Sequence, residues 1–575
     1  VRTDSGLVTE RQFREIVIDQ RSNYLIRLND IAEVKLGTEE ERYEVRANGE
    51  PAIGLGVIKQ SKANELEISN GLRSKLEDVK NNLPEQVELF IAYDRSRFVD
   101  ASIKEVFKAL SIAMCLVIAV IFIFLRSLWA TLIPAVAIPV SLIASFIILN
   151  IFGFSINVLT LLAYVLAVGL VVDDAIVVLE NIHRRVENGE PVLLAAYRGS
   201  RQIGFAVIAT TLSLIAVFIP ISMMGGNTGR LFSEFGISIA GAVFFSSIVA
   251  LTLTPMMCSK ILKEKKSNNL IFRFSEKVFS SINNGYGWML NKSLSFPIII
   301  FSVAIAFSAI AYSFYEKVPK EFAPTEDRGV FLVVLMAPEG ATLNYTRDYL
   351  LEVEDTLSTI GPDGSNEIDT LFGVLAPGLS RPSPVNFAIA FVVLKPWRER
   401  FRSQQAIVKE FFPKLLGIPG ANVFAINPPS LNQPGRKSPV QFVIGGPSYE
   451  TLKDWSKIII EKTREENPDL LSIDADYKET KPELKVDINR DRSASMEVSI
   501  SNIGRTLETM LGSRFVTTFN DRGVQYNVVL QARNQDRVTP NDLENIYVRN
   551  TKDELIPLNN LITTRETAAP KELNR

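Results

Sequence analysis

Two cysteines and one histidine in 575 residues leave little from which to build a disulfide framework or a metal centre. Cys115 and Cys258 both fall in apolar runs, where a thiol reads as a small buried hydrophobe. His183 sits at the edge of another run, where a solvated helix-end role is expected rather than metal ligation. Charge of one sign is missing as well: 62 Lys and Arg balance 64 Asp and Glu, for a net charge of -2, so there is no basic footprint for nucleic acid. A phosphate-cradling G-x-x-x-x-G-K-[ST] loop is also lacking, and "PGRKS" at Pro434 to Ser438 is only an echo of one, which argues against ATP-driven transport. No charged-then-apolar leader precedes the first domain and the first residue is Val1, so the sequence reads as a piece of a longer chain.

Apolar residues, by contrast, make up 47% of the sequence, more than a soluble protein of this length needs. Runs of about 20 mostly apolar residues, enough to cross a bilayer, occur near 107–126, 129–151, 157–180, 204–224, 236–258 and 297–315. An even number of spans returns the chain to its starting side, so the polar segments 1–103 and 317–575 share a compartment. Lys and Arg cluster in alternate loops: Arg126; Arg184, Arg185, Arg198 and Arg201; then Lys260, Lys263, Lys265, Lys266, Arg273 and Lys277. Because positive loops stay in the cytoplasm, both polar segments are expected outside it. Between the fifth and sixth spans, Ile271, Phe274, Val278 and Ile282 recur at helical spacing, which predicts an amphipathic helix near 270–290 on the inner membrane surface.

The polar segments read as three strand–helix–strand stretches: "AIGLGVIKQ", a helix over 64–80 and "VELFIAY"; "FLVVLMAP", a helix over 343–357 and a strand near Ile368; "VQFVIGG", a helix capped by Ser448 and "LLSIDADY". Such units suggest split β-α-β subdomains packed side by side. The two ends also repeat one another. "VTERQFREIVIDQRSNYLIRLNDI" from Val8 and "VTPNDLENIYVRNTKDELIPLNNL" from Val538 align without a gap at an offset of 530 (538 − 8), with seven of 24 positions identical. The chain therefore looks like a window on a duplicated protein about twice that period in length, as in transporters built from parallel repeats. A second six-helix bundle is expected beyond Arg575.

The third span carries "GLVVDDAIVVLENIHRR", Gly169 to Arg185, with Asp173 and Asp174 adjacent in an apolar stretch. A buried carboxylate without a partner costs several kcal/mol or takes up a proton. Adjacent helical residues point about 100° apart, so each acid needs its own neighbours. Gly169, one turn before Asp173, is expected to let another helix approach, and Asn181 lies two turns beyond Asp174 on its face. A merely structural pairing would need a basic residue near mid-membrane, and none of the six spans has one. The cation is expected from the second bundle, and the pair then reads as a proton relay. An intramembrane aspartyl protease is disfavoured because its two acids must face each other from different helices.

These motifs, with "LRSLWATLIPAVAIPVSLI", "GFSINVLTLLAYVLAVGL", "PISMMGGNTGRLF" and "PKEFAPTEDRGVF", resemble the resistance-nodulation-division (RND) superfamily, nearest to its hydrophobe/amphiphile efflux branch, the AcrB-like multidrug transporters. Metal-exporting relatives are expected to carry a single Asp at the acid pair. The resemblance implies an α+β polytopic inner-membrane protein: a six-helix bundle, half of a duplicated twelve-helix unit, with large periplasmic porter and docking subdomains. It implies a secondary transporter and no enzyme, with protons as coupling ion and no other cofactor. It further implies a homotrimer joined to a periplasmic adaptor (membrane fusion) protein and an outer-membrane channel protein. By that likeness 1–38 is docking, 39–103 porter, 104–316 membrane, 317–485 porter, 486–566 docking, and 567–575 the return towards the porter.

The family's aromatic substrate pocket maps onto Phe372, Phe391 and Phe424, although core packing explains the same residues without it. In "VNFAIAFVVL", Phe387, Ile389, Phe391 and Val393 share one strand face. The family's switch loop maps onto Ala376, Pro377, Gly378, Leu379, Ser380 and Arg381, but Arg381, Pro382 and Pro384 replace some of its usual glycines and phenylalanines, and Ile426 stands where an aromatic is usual. Amphiphilic small molecules are the implied substrates. The rival reading is a member of the superfamily that handles lipid or protein export; the docking repeat and tandem porter units argue against it.

Overall fold

The computed structural model describes residues 6–21, 24–38, 42–60, 63–125, 127–262, 270–319, 324–358, 367–377, 384–429, 441–467, 470, 473 and 475–570, with 227 and 270–279 described by backbone alone. They form two compact units, Val1–Gly56 with Ala323–Arg575, and Val57–Phe322.

In chain order the first unit opens with α1 (Glu10–Arg14), β1 (Val17–Arg21), β2 (Tyr24–Arg27), α2 (Leu28–Ile31), β3 (Glu44–Ala47) and β4 (Glu50–Ala52). The second unit holds α3 (Glu65–Lys80), α4 (Ser96–Leu125), α5 (Leu128–Phe152), α6 (Val158–Glu187), α7 (Val192–Ser222), α8 (Gly226–Ile261), α9 (Leu270–Ser295) and α10 (Pro297–Tyr315). The first unit resumes with β5 (Val330–Met336), α11 (Leu343–Ser358), β6 (Ile368–Leu375), β7 (Phe387–Leu394), α12 (Gln404–Leu416), β8 (Asn422–Ile426), α13 (Tyr449–Glu466), β9 (Lys481–Ile488), α14 (Arg490–Ser495), α15 (Ile500–Leu511), β10 (Arg514–Asp521), β11 (Val524–Leu530), β12 (Tyr547–Arg549), β13 (Leu555–Pro557) and β14 (Ile562–Ala569).

Six helices, α4 to α8 and α10, are long and apolar enough to span a membrane, one for each predicted run. α8 packs along α5, α6 and α7, and α6 also packs against α4. The bundle core holds Ile138, Leu161, Tyr164, Ala167 and Val171. α10 buries none of its residues. α9 covers the predicted amphipathic stretch as helix; the side chains of Ile271, Phe274 and Val278 lie outside the described ones. Both cysteines are free, and Cys258 is buried as expected, but Cys115 is exposed. α4 packs through the stripe Val106, Leu110, Met114, Val117 and Ile121, and residue 115 falls beside that stripe.

Four strands of the first unit's main sheet run in the order β6-β7-β5-β8, all antiparallel neighbours. β5 and β6 are thus parallel with β7 between them, joined by α11, while β7 and β8 are parallel around β5, joined by α12. These are two interlocked split β-α-β units. Only the second of the three predicted strand–helix–strand stretches forms as expected. Of the first, α3 is present, capped by Asn64, but 53–60 and 87–93 form no strand. Of the third, Ser448 caps α13 by accepting from the Thr451 amide, yet 441–446 is unpaired, and 470–477 forms no strand where it is described. A strand exists only where a second backbone completes its ladder, and periodicity cannot supply that neighbour. The β3–β4 hairpin instead adds to the edge of β6. It turns at Asn48-Gly49, φ 50° and 88°, the left-handed pair that a two-residue hairpin demands. Asn48 then accepts the Leu371 amide through its side chain at 2.9 Å.

α11 and α12 cover one face of this sheet, around Phe331, Leu335, Leu350, Val353, Ala390 and Phe411. Burying a side chain such as Phe331 or Phe411 fully stabilises the fold by about 1.5–3 kcal/mol. Asp327, just before β5, holds the loop that leads into α12. It accepts from Arg400 at 2.5 Å, the Gln404 amide at 2.9 Å and the Gly329 amide at 3.1 Å. Burial pushes its carboxyl up, but the Arg400 guanidinium and those amides outweigh it and hold it below the ordinary carboxylate range. A depressed folded-state pKa gives stability that is present above the unfolded value, about 3.9, and lost as the pH falls through the folded one. Asp327→Asn is therefore expected to cost about 2 kcal/mol at neutral pH and to remove the acid-dependent part. Hydrogen exchange of the Gln404 and Gly329 amides, which donate to Asp327, measures this. Equal protection in wild type and variant from pH 3 to pH 7 would refute it.

The end repeat is a structural repeat. Thr9 and Thr539 both form capping boxes, with Gln12 and Asp542. The pairing Val17↔Arg27 recurs as Tyr547↔Pro557, and the amides of Leu28 and Leu558 donate to Ile16 and Ile546 carbonyls, each at 2.8 Å. Surroundings differ between the copies. Val548 and Leu561 are 2% and 0% exposed beneath β9, α15 and β14, while their counterparts Ile18 and Ile31 are 47% and 66% exposed. β9 and β14 pair along their full lengths, 481–488 with 562–569, so the observed subdomain runs across the boundaries expected at 485/486 and 566/567.

Candidate functional site

α6 begins at Asn157, whose side chain accepts the Leu159 and Thr160 amides and donates to Glu234 of α8 at 2.5 Å. From there the helix divides into two faces. Ala163, Ala167, Val171, Asp174, Val178 and Asn181 are buried, whereas Leu162, Leu166, Gly169, Asp173, Val177 and Glu180 form an exposed stripe. The 100° step between neighbours thus sends Asp174 into the bundle and Asp173 out of it. Asp174 meets Ser246 of α8, whose Oγ lies 3.2 Å from Asp174 Oδ2 and 2.8 Å from the Val171 carbonyl oxygen.

Gly169 does not fulfil its expected role. A Cβ placed there would meet nothing within 4 Å, because the residue shares Asp173's outward stripe. Close approach occurs instead at Gly199 of α7, where a Cβ would stand 2.9 Å from Ile182 Cγ1 and 3.3 Å from its Cα. Asn181 is buried on Asp174's side as expected but serves α7. It donates to the Gly199 carbonyl at 2.9 Å and Gln202 Oε1 at 3.3 Å. Arg185 adds ties to Glu190 at 2.9 Å and Gln202 at 2.7 Å. His183 Nδ1 is 3.5 Å from Glu187.

The three pocket aromatics come together on the sheet face opposite α11 and α12. Phe372 and Phe391 are direct cross-strand partners with ring centroids 6.0 Å apart, and Phe424 shares the face from β8, opposite Val334. All three are half-buried, which places them outside the helix-covered core. Phe387, Ile389 and Phe391 alternate onto the same face, although Val393 is buried. Ile426 is exposed there, opposite Leu332. The chain leaving β4 crosses this surface, so that a Cβ on Gly54 would stand 3.3 Å from the Phe372 ring. Of the switch loop, Ala376 is buried with φ 48° and donates to the Phe387 carbonyl at 2.8 Å, and Pro377 is half-buried. Gly378, Leu379, Ser380 and Arg381 lie outside the described residues.

Along residues 1–575 the chain matches the family model of the AcrB/AcrD/AcrF family. The chain belongs to the AcrB/AcrD/AcrF family. It is 34% identical over 582 residues to the multidrug resistance protein MdtC of Photorhabdus laumondii, covering 100% of this chain and 55% of that protein. With MdtC of Salmonella heidelberg it shares 34% over 577 residues, covering 100% and 55%. An "uncharacterized transporter" of Haemophilus influenzae is 33% identical over 577 residues, covering 98% and 54%. The chain thus spans about half the length of the curated relatives it matches. As a member of the AcrB/AcrD/AcrF family with six apolar helices, it is a multi-pass membrane protein of the RND superfamily. Ser246 was not singled out by the sequence. The only local signal is the pair Ser246-Ser247 inside "AVFFSSIVAL", which becomes meaningful once α8 is known to lie on α6.

Proposed function

We propose that the full-length protein is a proton-driven exporter of hydrophobic and amphiphilic compounds in the bacterial inner membrane. The observation that carries this reading is the acid pair, with Asp174 inside the bundle on the Ser246 hydroxyl and Asp173 on the outward stripe between Gly169 and Val177. A carboxylate on such a stripe calls for a cation facing it, and the second bundle expected from the repeat is where that cation would lie. Protonation of the pair weakens the attraction to the cation, the helices shift, and the subdomains outside the membrane open or close around substrate. Each proton moving down 100 mV supplies about 2.3 kcal/mol.

The helix-free sheet face, with Phe372, Phe391 and Phe424, would bind substrate, and Ala376 to Arg381 would act as the switch loop. An apolar surface with few polar anchors suits varied amphiphiles, and the MdtC relatives are multidrug resistance proteins by name. Lys and Arg in alternate loops support placing both polar segments in the periplasm. There 1–38 and 486–566 would dock to a periplasmic adaptor and an outer-membrane channel, in a homotrimer, with 39–103 and 317–485 in the porter.

The test is dye efflux and drug susceptibility in a pump-deleted cell expressing the full-length protein. Accumulation of an amphiphilic dye is expected to fall at least severalfold and to recover when a protonophore collapses the gradient. Efflux of no amphiphile at all would favour lipid or protein export instead.

A further inference from the structure

The hydroxyl of Ser246 lies within reach of two acceptors on α6, the Val171 carbonyl oxygen at 2.8 Å and Asp174 Oδ2 at 3.2 Å, and it has one hydrogen to give. Ser246 is 2% exposed and Asp174 7%, so no bulk solvent competes for either. Asp173 is the one other ionisable side chain beside Asp174 among the described residues. α5 contributes only neutral side chains, and the charged residues of its neighbours lie in the first half of α4 (Arg97, Asp100, Lys104, Glu105, Lys108), the first third of α7 (Arg198, Arg201) and towards the two ends of α8 (Arg230, Glu234, Lys260). A carboxylate can only accept, whereas a carboxylic acid must also place a hydrogen. Most neighbours therefore suit one state and oppose the other.

We infer that Ser246 is a positioning residue that keeps Asp174 in place through both protonation states by reversing the direction of one hydrogen bond. This rests on the proton-relay reading above. With Asp174 ionised, the Ser246 hydrogen points to Oδ2. When a proton arrives on Oδ2, the acid O–H donates to Ser246 Oγ, and the hydroxyl rotates its own hydrogen to the Val171 carbonyl. The proton stays on Asp174, the serine remains neutral, and every hydrogen keeps an acceptor. No desolvated group is orphaned in either state, so the α6–α8 contact survives the change of charge. Asp173, with no such partner from α8, is left as the acid whose surroundings alter. The two adjacent carboxylates thus have different duties.

The experiment uses full-length protein in lipid and compares wild type with Ser246→Ala, Ser246→Cys and Asp174→Asn. Acid-minus-alkaline infrared difference spectra assign to Asp174 the protonated-carboxyl stretch that Asp174→Asn loses. That band is expected to move to higher frequency in Ser246→Ala, since the acid O–H loses its acceptor, and to move nearly as far in Ser246→Cys, because sulfur accepts weakly. Dye efflux is expected to drop about tenfold in both variants at unchanged membrane levels. An unmoved band in Ser246→Ala would overturn the inference, and so would wild-type efflux in the size-matched Ser246→Cys, which would mark the serine as packing. Failure of the underlying relay shows differently: Asp174→Asn would then pump like wild type, wherever the Ser246 bands fall.

Discussion

Asp174→Asn in the full-length protein is expected to abolish proton-coupled efflux while leaving the protein folded in the membrane. Asparagine has nearly the shape of aspartate, and its amide oxygen can still accept from the Ser246 hydroxyl across 3.2 Å, so the packing of α6 on α8 has little reason to fail. It cannot take up a proton. A proton moving down 100 mV supplies about 2.3 kcal/mol, and about 1.4 kcal/mol is a factor of ten in a concentration ratio. For each proton no longer coupled, the gradient the pump can sustain therefore falls by about fifty-fold. Susceptibility to amphiphilic drugs should return to that of a pump-deleted cell, and dye efflux should no longer respond to a protonophore. Asp173→Asn is expected to do the same through the outward-facing partner. Normal efflux in both variants would remove the relay from the account.

Arg46→Ala is expected to be the most destabilising single change in the main sheet. Arg46, on β3, is buried beneath α11, where its Nε lies 3.2 and 3.3 Å from the two carboxylate oxygens of Glu354. Glu44 and Arg347 extend the pair outward. Removing one partner of a buried pair leaves an uncompensated charge, at about 3–5 kcal/mol. The pH dependence identifies the cause. Burial pushes the Glu354 carboxyl above its ordinary range, while Arg46 pulls it back down. A raised folded-state pKa means stability that is complete below the unfolded value and lost as the pH rises through the folded one. Without Arg46 that loss must grow, so the variant should be more strongly destabilised at pH 8 than at pH 5. Replacing both partners, Arg46→Met with Glu354→Leu, should recover most of the stability because no charge is then left buried. Thermal unfolding of the detergent-solubilised full chain measures all three, and a loss in Arg46→Ala that is independent of pH would contradict the explanation.

What the sequence made legible followed from short-range causes. Twenty apolar residues state a span wherever they fall, and a serine before a polar–apolar repeat states a cap, as Ser448 does for α13. The offset of 530 was visible because capping residues and core positions recur together. Long-range neighbours were hidden. Nothing near Val45 says that it pairs with Val374, although the Asn48-Gly49 turn marks the hairpin itself. The same limit governs the acids. Adjacency on a helix separates their directions, but the packing of α8 decides that Asp174 is the inner one, and it also turns Gly169 outward and draws Gly199 close. The three phenylalanines were assigned by resemblance, and their shared face emerges only once β8 is seen beside β5.

The ties between α6 and α7 at Asn181 and Gly199 have a mechanical consequence. They pin one end of a long rod. Asp174 lies seven residues from Asn181, about 10 Å along the axis at 1.5 Å per residue, while Val158 lies 23 residues away, about 35 Å. A helix pivoting at the Gly199 contact multiplies a sideways movement at Asp174 about threefold by the time it reaches its far end. There Asn157 grips Glu234, so α8 is carried with it. An adjustment of about 1 Å, the scale on which packed helices slide, would arrive at the membrane surface as a stroke of about 3 Å.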